Sequence, residues 1–552
     1  MKRIEIENKR IKVITSNGDG DYDSTLVRVL KAIPGAAFRT VPERAWFLPL
    51  SEVVAAASIG NLFGFDVAAP VRQLAELARE EKKRESEQNA QALAALGDLS
   101  SPLPNGRTLF KHQREGAQIL IETSYHICAD EMGLGKTMQS LVAAKGYQLA
   151  HGWRVVVVAP VSLRANWYAE AEGVGVTIEV HSWAKVPDPP DCDFILLADE
   201  AHYAQSFTSQ RGQRFLALAE RARRVFPMTG TPMKNGLPIN MLPLLMAARH
   251  RLARNRKHFE ERYCGAQLVK RKKKGAKGNK ASDFNTYREV KGAKNLKELH
   301  AFTRDVILRR TKVECLDLPA KTRILREVEA SAEAVREYLS VIAAKRNELD
   351  LLIKQGKFPE ESQALVMLGA IRQAASKVKI DAALEIAEEV TEEDGQIVLF
   401  TEYLATAQTL FQRTREAKMR PELLTGATKP QDRQAVVDRF QSRKSNVFIG
   451  TIGAGGVGIT LTQASTVALV DRAWTPGDNF QAEDRSHRIG QHWPVTVIWL
   501  QYGKLDFRID DLILKKQERI DLVLEGGRQT MRGASGSIIS DARKFLTEIT
   551  EE

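Results

Sequence analysis

The stretch Ala129-Asp130-Glu131-Met132-Gly133-Leu134-Gly135-Lys136-Thr137 restricts the possible folds more than any other. It ends Gly-Lys-Thr and runs straight into the helical apolar spacing of Met138, Leu141 and Val142. It therefore reads as a turn closing onto a helix N-terminus. Such a turn bares backbone N–H groups, glycine lets the backbone approach a ligand, and the helix end attracts an anion. The ligand this suits is a polyphosphate. Asp130, Gly133, Leu134 and Gly135 would form its cradle. Lys136 would reach the β- and γ-phosphates, and the Thr137 hydroxyl would take a place on Mg²⁺. One residue breaks the spaced pattern, which asks for Gly where this chain has Asp130.

A loop of this kind needs a parallel sheet behind it, and the following residues supply one. Tyr125 to Ala129 is a short strand leading into the loop. Val155 to Ala159 is an unbroken β-branched run, as in a strand buried on both faces. Phe194 to Ala198 is another, and it ends in Asp199-Glu200-Ala201-His202. In open α/β sheets ligands gather beyond the carboxyl ends of the strands, where the loop and this acidic pair both fall. Asp199 can hold Mg²⁺, and Glu200 can orient or deprotonate an attacking water. Thr229-Gly230-Thr231-Pro232 is a tight polar turn whose hydroxyls could sense the γ-phosphate.

A second α/β block follows helices spanning about 331–390. Its strands are Ile397 to Phe400, Val447 to Gly450 and Val467 to Val470, and a Gly-rich run occupies 451–460. Between Gln481 and Gln491, helical spacing would put Arg485 and Arg488 on one face. Two guanidiniums there suit the charge that develops on a transferring γ-phosphoryl group.

The flanking regions carry less chemistry. Residues 1–78 read as a small α+β module: a hairpin from Ile4 to Ile14, a helix through Leu26 and Leu30 stopped by Pro34-Gly35, and a strand centred on Trp46. It is either a nucleic-acid module or a cap whose Trp46 is core. Arg79 to Asp98 is highly charged, with opposite signs three and four apart, and reads as a solvated helical linker. Ser100 to Gly106 breaks it. From about 249 to 322 the pattern turns helical and basic. Lys270 to Lys280 carries seven cations in eleven residues and reads as a self-repelling mobile loop. It could grip phosphates through counterion release, address the chain to a nucleus, or do neither.

At 552 residues the chain is too long for one core, and three or four domains are expected. Its net charge of +12 permits a polyanionic partner without requiring one. No apolar run approaches the roughly 18 residues of a membrane span. The N-terminus lacks the apolar core of a signal peptide. Four scattered cysteines without a Cys-x-x-Cys pair point to a reducing interior.

Taken in this order, the motifs resemble the Swi/Snf-type ATPases of helicase superfamily two over about Leu109 to Leu524. Phe110-Lys111-His112-Gln113 resembles the adenine-reading Q motif, which gives Gln113 to the nucleotide. Ala129 to Thr137 and Asp199 to His202 match motifs I and II, and Thr229 to Pro232 motif III. Pro160 to Leu163 with Asn166 and Trp167 resembles motif Ia, which touches the tracked DNA strand. Leu308-Arg309-Arg310-Thr311-Lys312 with Leu318-Pro319-Ala320-Lys321 resembles a signature of the Swi/Snf branch. Gly453 to Leu461 resembles motif V, whose Gly458 is placed with the cofactor, and Gln481 to Gln491 resembles motif VI. The N-terminal module is similar to the HARP domain of annealing helicases. Gly453 and Thr460 stand where many relatives have Arg and Asn, and Trp474-Thr475-Pro476 replaces a common Trp-Asn-Pro. These departures fall near the presumed DNA-coupling surface.

The resemblance implies an α/β fold of two RecA-like parallel-sheet lobes with helical insertions, plus the small N-terminal α+β module. The expected divisions are a HARP-like module over 1–78 and a charged helical linker over 79–100. Lobe one covers 101–325 with a basic helical insertion at about 249–322. Lobe two covers 326–505 with a helical protrusion, and brace helices with a tail occupy 506–552. The implied activity is DNA-stimulated hydrolysis of ATP to ADP and phosphate with Mg²⁺, driving translocation on double-stranded DNA. Remodelling or reannealing of forked DNA, or displacement of bound proteins, would follow from it. Catalysis falls to Lys136, Glu200, Arg485 and Arg488. DNA contacts fall to Ser162, Asn166, Trp167, Lys270, Arg271, Lys272, Lys273 and Lys274. A strand-separating helicase and a non-catalytic DNA-binding scaffold are the rival readings. The chain is expected to be monomeric and away from membranes. It would be cytoplasmic in a prokaryote or virus and nuclear in a eukaryote.

Overall fold

The unbroken apolar runs become interior strands of two parallel sheets. The computed structural model describes residues 2–15, 23–33, 35–40, 44–123, 126–272, 284–290, 292–355, 361–455 and 458–526. In the first lobe six strands lie in the order Ile307–Leu308, Ile127–Cys128, Arg224–Met228, Phe194–Asp199, Arg154–Ala159, Glu179–Ser182, every neighbouring pair parallel. Alternate residues feed two cores. Val155 and Val157 enter one with Ile195 and Leu197, while Val156 and Val158 enter the other with Leu196 and Ala198. Burial on both faces is why these strands show no polar alternation.

The second lobe repeats the plan, in the order Lys321–Glu327, Val495–Gln501, Thr466–Leu469, Ile397–Thr401, Val447–Thr451, Pro421–Leu424, again parallel throughout. The helices Ala332–Lys354 and Glu361–Val378 pack on each other and on this lobe through Tyr338, Ile342, Met367 and Ile371. The helix Gly503–Leu524 joins both lobes. Its Leu505, Ile509 and Ile513 enter the second lobe's core, and its Ile520, Val523 and Leu524 enter the first's. Residues 527–552 of the expected tail lie outside the described residues.

Three expectations need correcting. The region 249–322 is only partly helical, its helices Arg256–Tyr263, Leu296–Thr303 and Lys312–Cys315 being interrupted by a hairpin. After the helix Arg256–Tyr263, strands Gln267–Lys272 and Phe284–Glu289 pair antiparallel in full register, and Ile307–Leu308 then returns as an edge strand of the first sheet. Lys270, Arg271 and Lys272 therefore sit on a hairpin strand rather than in a loop, while Lys273 and Lys274 lie outside the described residues. The first lobe also ends before 325, since Lys321–Glu327 is already an edge strand of the second sheet. The third correction is the linker, which is part of a single helix, Ala69–Leu96, docked at both ends.

The N-terminal module is a five-stranded sheet in the order Ala37–Arg39, Ala45–Pro49, Arg10–Ile14, Arg3–Glu7, Asp66–Val67, covered by the helices Ser24–Ala32 and Val53–Phe63. Trp46 is buried in its core beside Leu26, Leu30 and Val53. Phe38 packs on Trp46 with the rings tilted 48° and their centroids 5.3 Å apart, and is itself 48% exposed.

One buried group sets a pH dependence. His126 precedes the strand that feeds the phosphate loop, and its Nδ1 has no hydrogen-bond partner. Burial lowers its pKa to about 4. An unfolded chain binds this proton near pH 6.5, so the stability the neutral ring supports is complete above that pH and declines as the pH falls toward 4. The loss between pH 7 and pH 5 is about 2 kcal/mol. Urea unfolding at the two pH values should show it, and His126→Phe should abolish that part of the difference. An unchanged pH dependence in the variant would count against the assignment.

Candidate nucleotide site between the lobes

The phosphate loop takes the shape its residues demand. Gly133 and Gly135 sit at φ 88° and 75°, a left-handed geometry costly for residues with a Cβ, and Lys136 opens the helix Lys136–His151. The Lys136 ammonium donates to the carbonyls of Asp130 (2.8 Å) and Glu131 (3.2 Å), so a lone cation is held at the loop by backbone oxygens. Gln113 lies directly over the loop. A Cβ added at Gly135 would come within 2.3 Å of its Nε2. Its Oε1 accepts from the Phe110 N–H at 3.1 Å. His112 Nε2 lies 3.0 Å from the Leu134 carbonyl, and burial lowers the pKa of this ring.

Asp130, assigned to the ligand from sequence, is instead a support. It is fully buried and accepts from both Arg310 Nε (3.1 Å) and Arg310 Nη2, with Gln139 Nε2 at 3.1 Å. Arg310 also donates to the His112 carbonyl at 2.6 Å and to Gln139 Oε1 at 2.9 Å. The odd residue of the loop is thus the carboxylate that receives the arginine of Arg309-Arg310-Thr311-Lys312. Arg309 Nη1 donates to the Ala129 carbonyl (3.1 Å), and the Lys312 N–H donates to Glu131 Oε2 (2.7 Å). These residues buttress the back of the loop from an adjacent strand.

Asp199 and Glu200 follow the central strand Phe194–Asp199. Asp199 Oδ1 accepts from the Glu200 N–H (2.9 Å), and Oδ2 accepts from Trp167 Nε1 (2.9 Å). Burial, then the Glu200 charge, raises the Asp199 pKa. Glu200 holds a left-handed backbone at φ 49°, a strained geometry for a residue with a long side chain. Burial acts to raise its pKa, yet the His202 hydrogen bond and the charges of His202, Lys136 and Arg485 leave it lowered. Glu200 therefore stays ionised. His202 Nδ1 lies 3.1 Å from both Glu200 Oε2 and Thr229 Oγ1, and the Thr231 N–H donates to Thr229 Oγ1 at 3.1 Å.

Trp167, expected at DNA, is wholly buried, with its indole N–H on Asp199. Its ring is core and its polar edge orients a carboxylate, so it offers DNA no surface. Ser162 and Asn166 are exposed.

The second lobe meets this surface directly. Gln481 Nε2 donates to Glu200 Oε1 at 2.8 Å. A Cβ at Gly477 would come within 2.5 Å of Thr231. Lys234 pairs with Asp478 at 2.8 Å. The helix Pro476–Glu483 ends before the arginine pair, so Arg485 and Arg488 lie in the turns after it rather than on one helix face. They converge nonetheless. Arg488 Nη1 donates to the Ile459 carbonyl (2.8 Å) and Thr460 Oγ1 (3.0 Å), and Arg485 reaches the Gln481 and Ile459 carbonyls at 3.1 and 3.4 Å. Arg488 also stands at the phosphate loop, its Cβ 3.7 Å from where a Cβ on Gly133 would be. Burial, then the Arg488 charge, lowers Arg485 to about 9. Two desolvated cations side by side favour an anion between the lobes.

Gly458, expected with the cofactor, backs onto Leu163 instead. A Cβ there would come within 2.4 Å of Leu163 Cδ2. Thr460, expected at the DNA-coupling surface, is the hydroxyl that holds Arg488.

Sequence reasoning gave no role to the two acids just before Arg485. Glu483 is fully buried and accepts from Arg323 (3.1 and 2.7 Å) and Trp499 Nε1 (2.8 Å). Asp484 pairs with Lys312 (2.8 Å) and Lys321 (2.9 Å). Burial opposes its charge, but Lys321 and Lys312 hold its pKa below the usual carboxylate range. Lys312 touches both lobes, since its ammonium also donates to the His487 carbonyl at 2.7 Å. The available signal was the pairing of buried acids beside motif arginines with the basic signature upstream.

These residues fit a nucleoside triphosphate with a divalent cation. A two-glycine cradle and a lone lysine face two buried guanidiniums, and Thr137 and Asp199 supply the hard oxygens Mg²⁺ prefers beside phosphates. Two facing parallel sheets that share such a cleft define a paired RecA-like ATPase core. Comparison with known proteins agrees. The SNF2-related domain matches residues 112–187 and 191–380, and the helicase conserved C-terminal domain matches residues 378–490. The mouse DNA annealing helicase and endonuclease ZRANB3 is 27% identical over 441 residues, covering 73% of this chain and 39% of its own length. The Xenopus laevis SWI/SNF-related matrix-associated actin-dependent regulator of chromatin subfamily A-like protein 1 is 27% identical, covering 76% of this chain and 44% of its own. The chain thus spans about two fifths of the length of these relatives. The solved Sulfolobus solfataricus SWI2/SNF2 ATPase core in complex with dsDNA is 22% identical, covering 78% of this chain and 96% of its own, with a TM-score of 0.34. The chain belongs to the Swi/Snf-type ATPases of helicase superfamily two, near the annealing-helicase branch. Among the described residues no helix is long and apolar enough to cross a membrane.

Proposed function

We propose that the chain hydrolyses ATP in response to DNA and uses the energy to translocate on the duplex. The observation that carries this reading is the bond between Gln481 of one lobe and Glu200 of the other, which seats Arg488 beside Gly133. Hydrolysis is thereby tied to the relative position of two lobes, as a motor requires. The names of the relatives, DNA annealing helicases among them, support DNA as the partner.

Lys136 would release its two carbonyls to take the β- and γ-phosphates. Gln113, over Gly135, would read the base. Thr137 and Asp199 would hold Mg²⁺, which neutralises charge on the β- and γ-oxygens when bound. Glu200, kept ionised by its neighbours, would orient the attacking water and accept its proton. Arg485 and Arg488 would stabilise charge spreading onto the γ-phosphoryl oxygens. Once phosphate leaves, those cations lose their anion and the closed arrangement loses its main attraction. If DNA binds the closed and open lobes with different affinity, each turnover moves one lobe along it. Ser162 and Asn166, exposed after the strand Arg154–Ala159, and the basic hairpin strand from Lys270 are the proposed DNA contacts.

The test is ATP hydrolysis by purified protein with and without duplex DNA. Duplex should stimulate wild type, and Lys136→Ala should reduce turnover by at least about 100-fold, the loss typical of a transition-state contact. A protein with no DNA-dependent hydrolysis would be a scaffold. Triplex displacement run beside duplex unwinding separates the other rival, since efficient unwinding would favour a strand-separating helicase.

A further inference from the structure

The N-terminal module and the first lobe share one helix, Ala69–Leu96, and the two ends of that helix are built differently from its middle. At the near end Val71 and Ala75 are buried in the module's core. At the far end Asn89 and Ala92 are buried against the first lobe. From Glu76 to Gln88 no side chain is buried, and no glycine or proline interrupts this stretch. A mostly exposed stretch without a breaker, with only Ala78, Glu85 and Gln88 half-buried, has nothing to kink it sharply.

The far attachment is strong. Arg224, only 2% exposed, donates to Asn89 Oδ1 (2.9 Å), the Tyr147 hydroxyl (3.2 Å) and Gln88 Oε1 (3.3 Å). Its guanidinium lies 5.1 Å from the Tyr147 ring centre and 5.3 Å from that of Trp153. The Tyr147 hydroxyl donates to Asn89 Oδ1 (2.8 Å), and Asn89 Nδ2 donates to the Glu122 carbonyl (3.2 Å). The helices meet at Gly146, where a Cβ would come within 2.6 Å of the Ala92 carbonyl. Detaching the helix would leave this buried cation without its partners, which strongly disfavours detachment. The module also touches the lobe directly, Glu52 lying 3.8 Å from Arg254.

We propose that this helix is a rigid strut that makes the N-terminal module a fixed arm of the first lobe. DNA held by the module keeps a constant distance and rotational phase to the first lobe, and each closure of the cleft moves it relative to the second lobe. The 13 residues from Glu76 to Gln88, none of them fully buried, span about 20 Å at 1.5 Å per residue, and each residue inserted turns the module by about 100°. The consequence for DNA rests on the proposed translocase activity, whereas the rigidity does not.

Two measurements test it. Cys192 and Cys315 are first changed to serine, and pairs of spin labels are placed at the exposed positions Leu62, Leu149 and Leu404. The 62–149 distance should be a single narrow distribution, unchanged between ADP and a non-hydrolysable ATP analogue with DNA, while the 62–404 and 149–404 distances shift together. A broad or nucleotide-dependent 62–149 distribution would overturn the strut. Next, two or seven residues of helix-forming sequence are inserted after Lys82, rotating the module by about 200° or back to within about 20° of its original phase. Any preference for forked over linear DNA in ATPase stimulation should be lost with two residues and largely regained with seven. Hydrolysis stimulated by linear duplex should stay within twofold of wild type. Equal preference in both insertions would overturn the phase requirement. Failure of duplex stimulation in wild type would strike the translocase reading and leave the distance result standing.

Discussion

Replacing Arg310 with alanine is expected to destabilise the first lobe by about 3–5 kcal/mol, the cost of leaving a buried charge without its partner. Asp130 is fully buried, and its carboxylate is held by Arg310 on both oxygens. Water entering the space left by the guanidinium would bring no charge to balance the buried Asp130 carboxylate. The same change frees the His112 carbonyl and Gln139 Oε1, which flank the phosphate loop. Nucleotide affinity should therefore fall with stability, although Arg310 reaches no phosphate in the proposed site. Urea unfolding and titration with a fluorescent ATP analogue measure the two losses. Asp130→Asn combined with Arg310→Met removes both charges and should recover much of the stability, because a neutral pair of similar size carries no stranded ion. An Arg310→Ala protein as stable as wild type would show that water or another cation replaces the arginine.

That ion pair marks the limit of what the chain discloses when read along its length. The phosphate loop, the acidic pair and most sheet strands were legible because their signals are local: glycines at a turn, unbroken apolar runs, acids at a strand end. Asp130 looked like a defect in the loop because its partner lies 180 residues on. Trp167 looked like a surface residue because the motif around it faces outward in Ser162 and Asn166, yet its own position on the helix Arg164–Val174 points inward to Asp199. The charged helix looked like a linker because a solvated middle has the same pattern whether its ends are free or docked. Only Asn89, Ala92, Leu93 and Leu96, at helical spacing, hinted at a buried end. The hairpin was hidden by its own charge, since seven cations in eleven residues read as repulsion before they read as a strand. Arg485 and Arg488 were expected on one helix face, whereas backbone carbonyls in a turn gather them.

Arg488→Ala is expected to reduce kcat by about 10³-fold or more, the range for an arginine that completes a phosphoryl-transfer site from a second lobe. The half-saturating ATP concentration should change much less. The groups that would bind ground-state nucleotide, Gln113, Lys136 and Thr137, all sit on the first lobe, whereas Arg488 is held by the Ile459 carbonyl and Thr460 Oγ1 of the second. Lys136→Ala should lose affinity as well as turnover, so the two variants part along the division between the lobes. Arg488→Lys keeps the charge but cannot span the Ile459 carbonyl, Thr460 Oγ1 and a phosphate with one planar fork, so it should recover only a small part of the rate. Gln481→Ala provides the comparison. It removes the 2.8 Å bond to Glu200 without touching either arginine's charge, and a loss of roughly 10- to 100-fold in kcat is the expected cost of one hydrogen bond to an ionised carboxylate. Single-turnover hydrolysis at saturating duplex DNA isolates the chemical step from product release. An Arg488→Ala rate within tenfold of wild type there would remove the arginine from the transition state and leave Arg485 as the sole cation supplied by the second lobe.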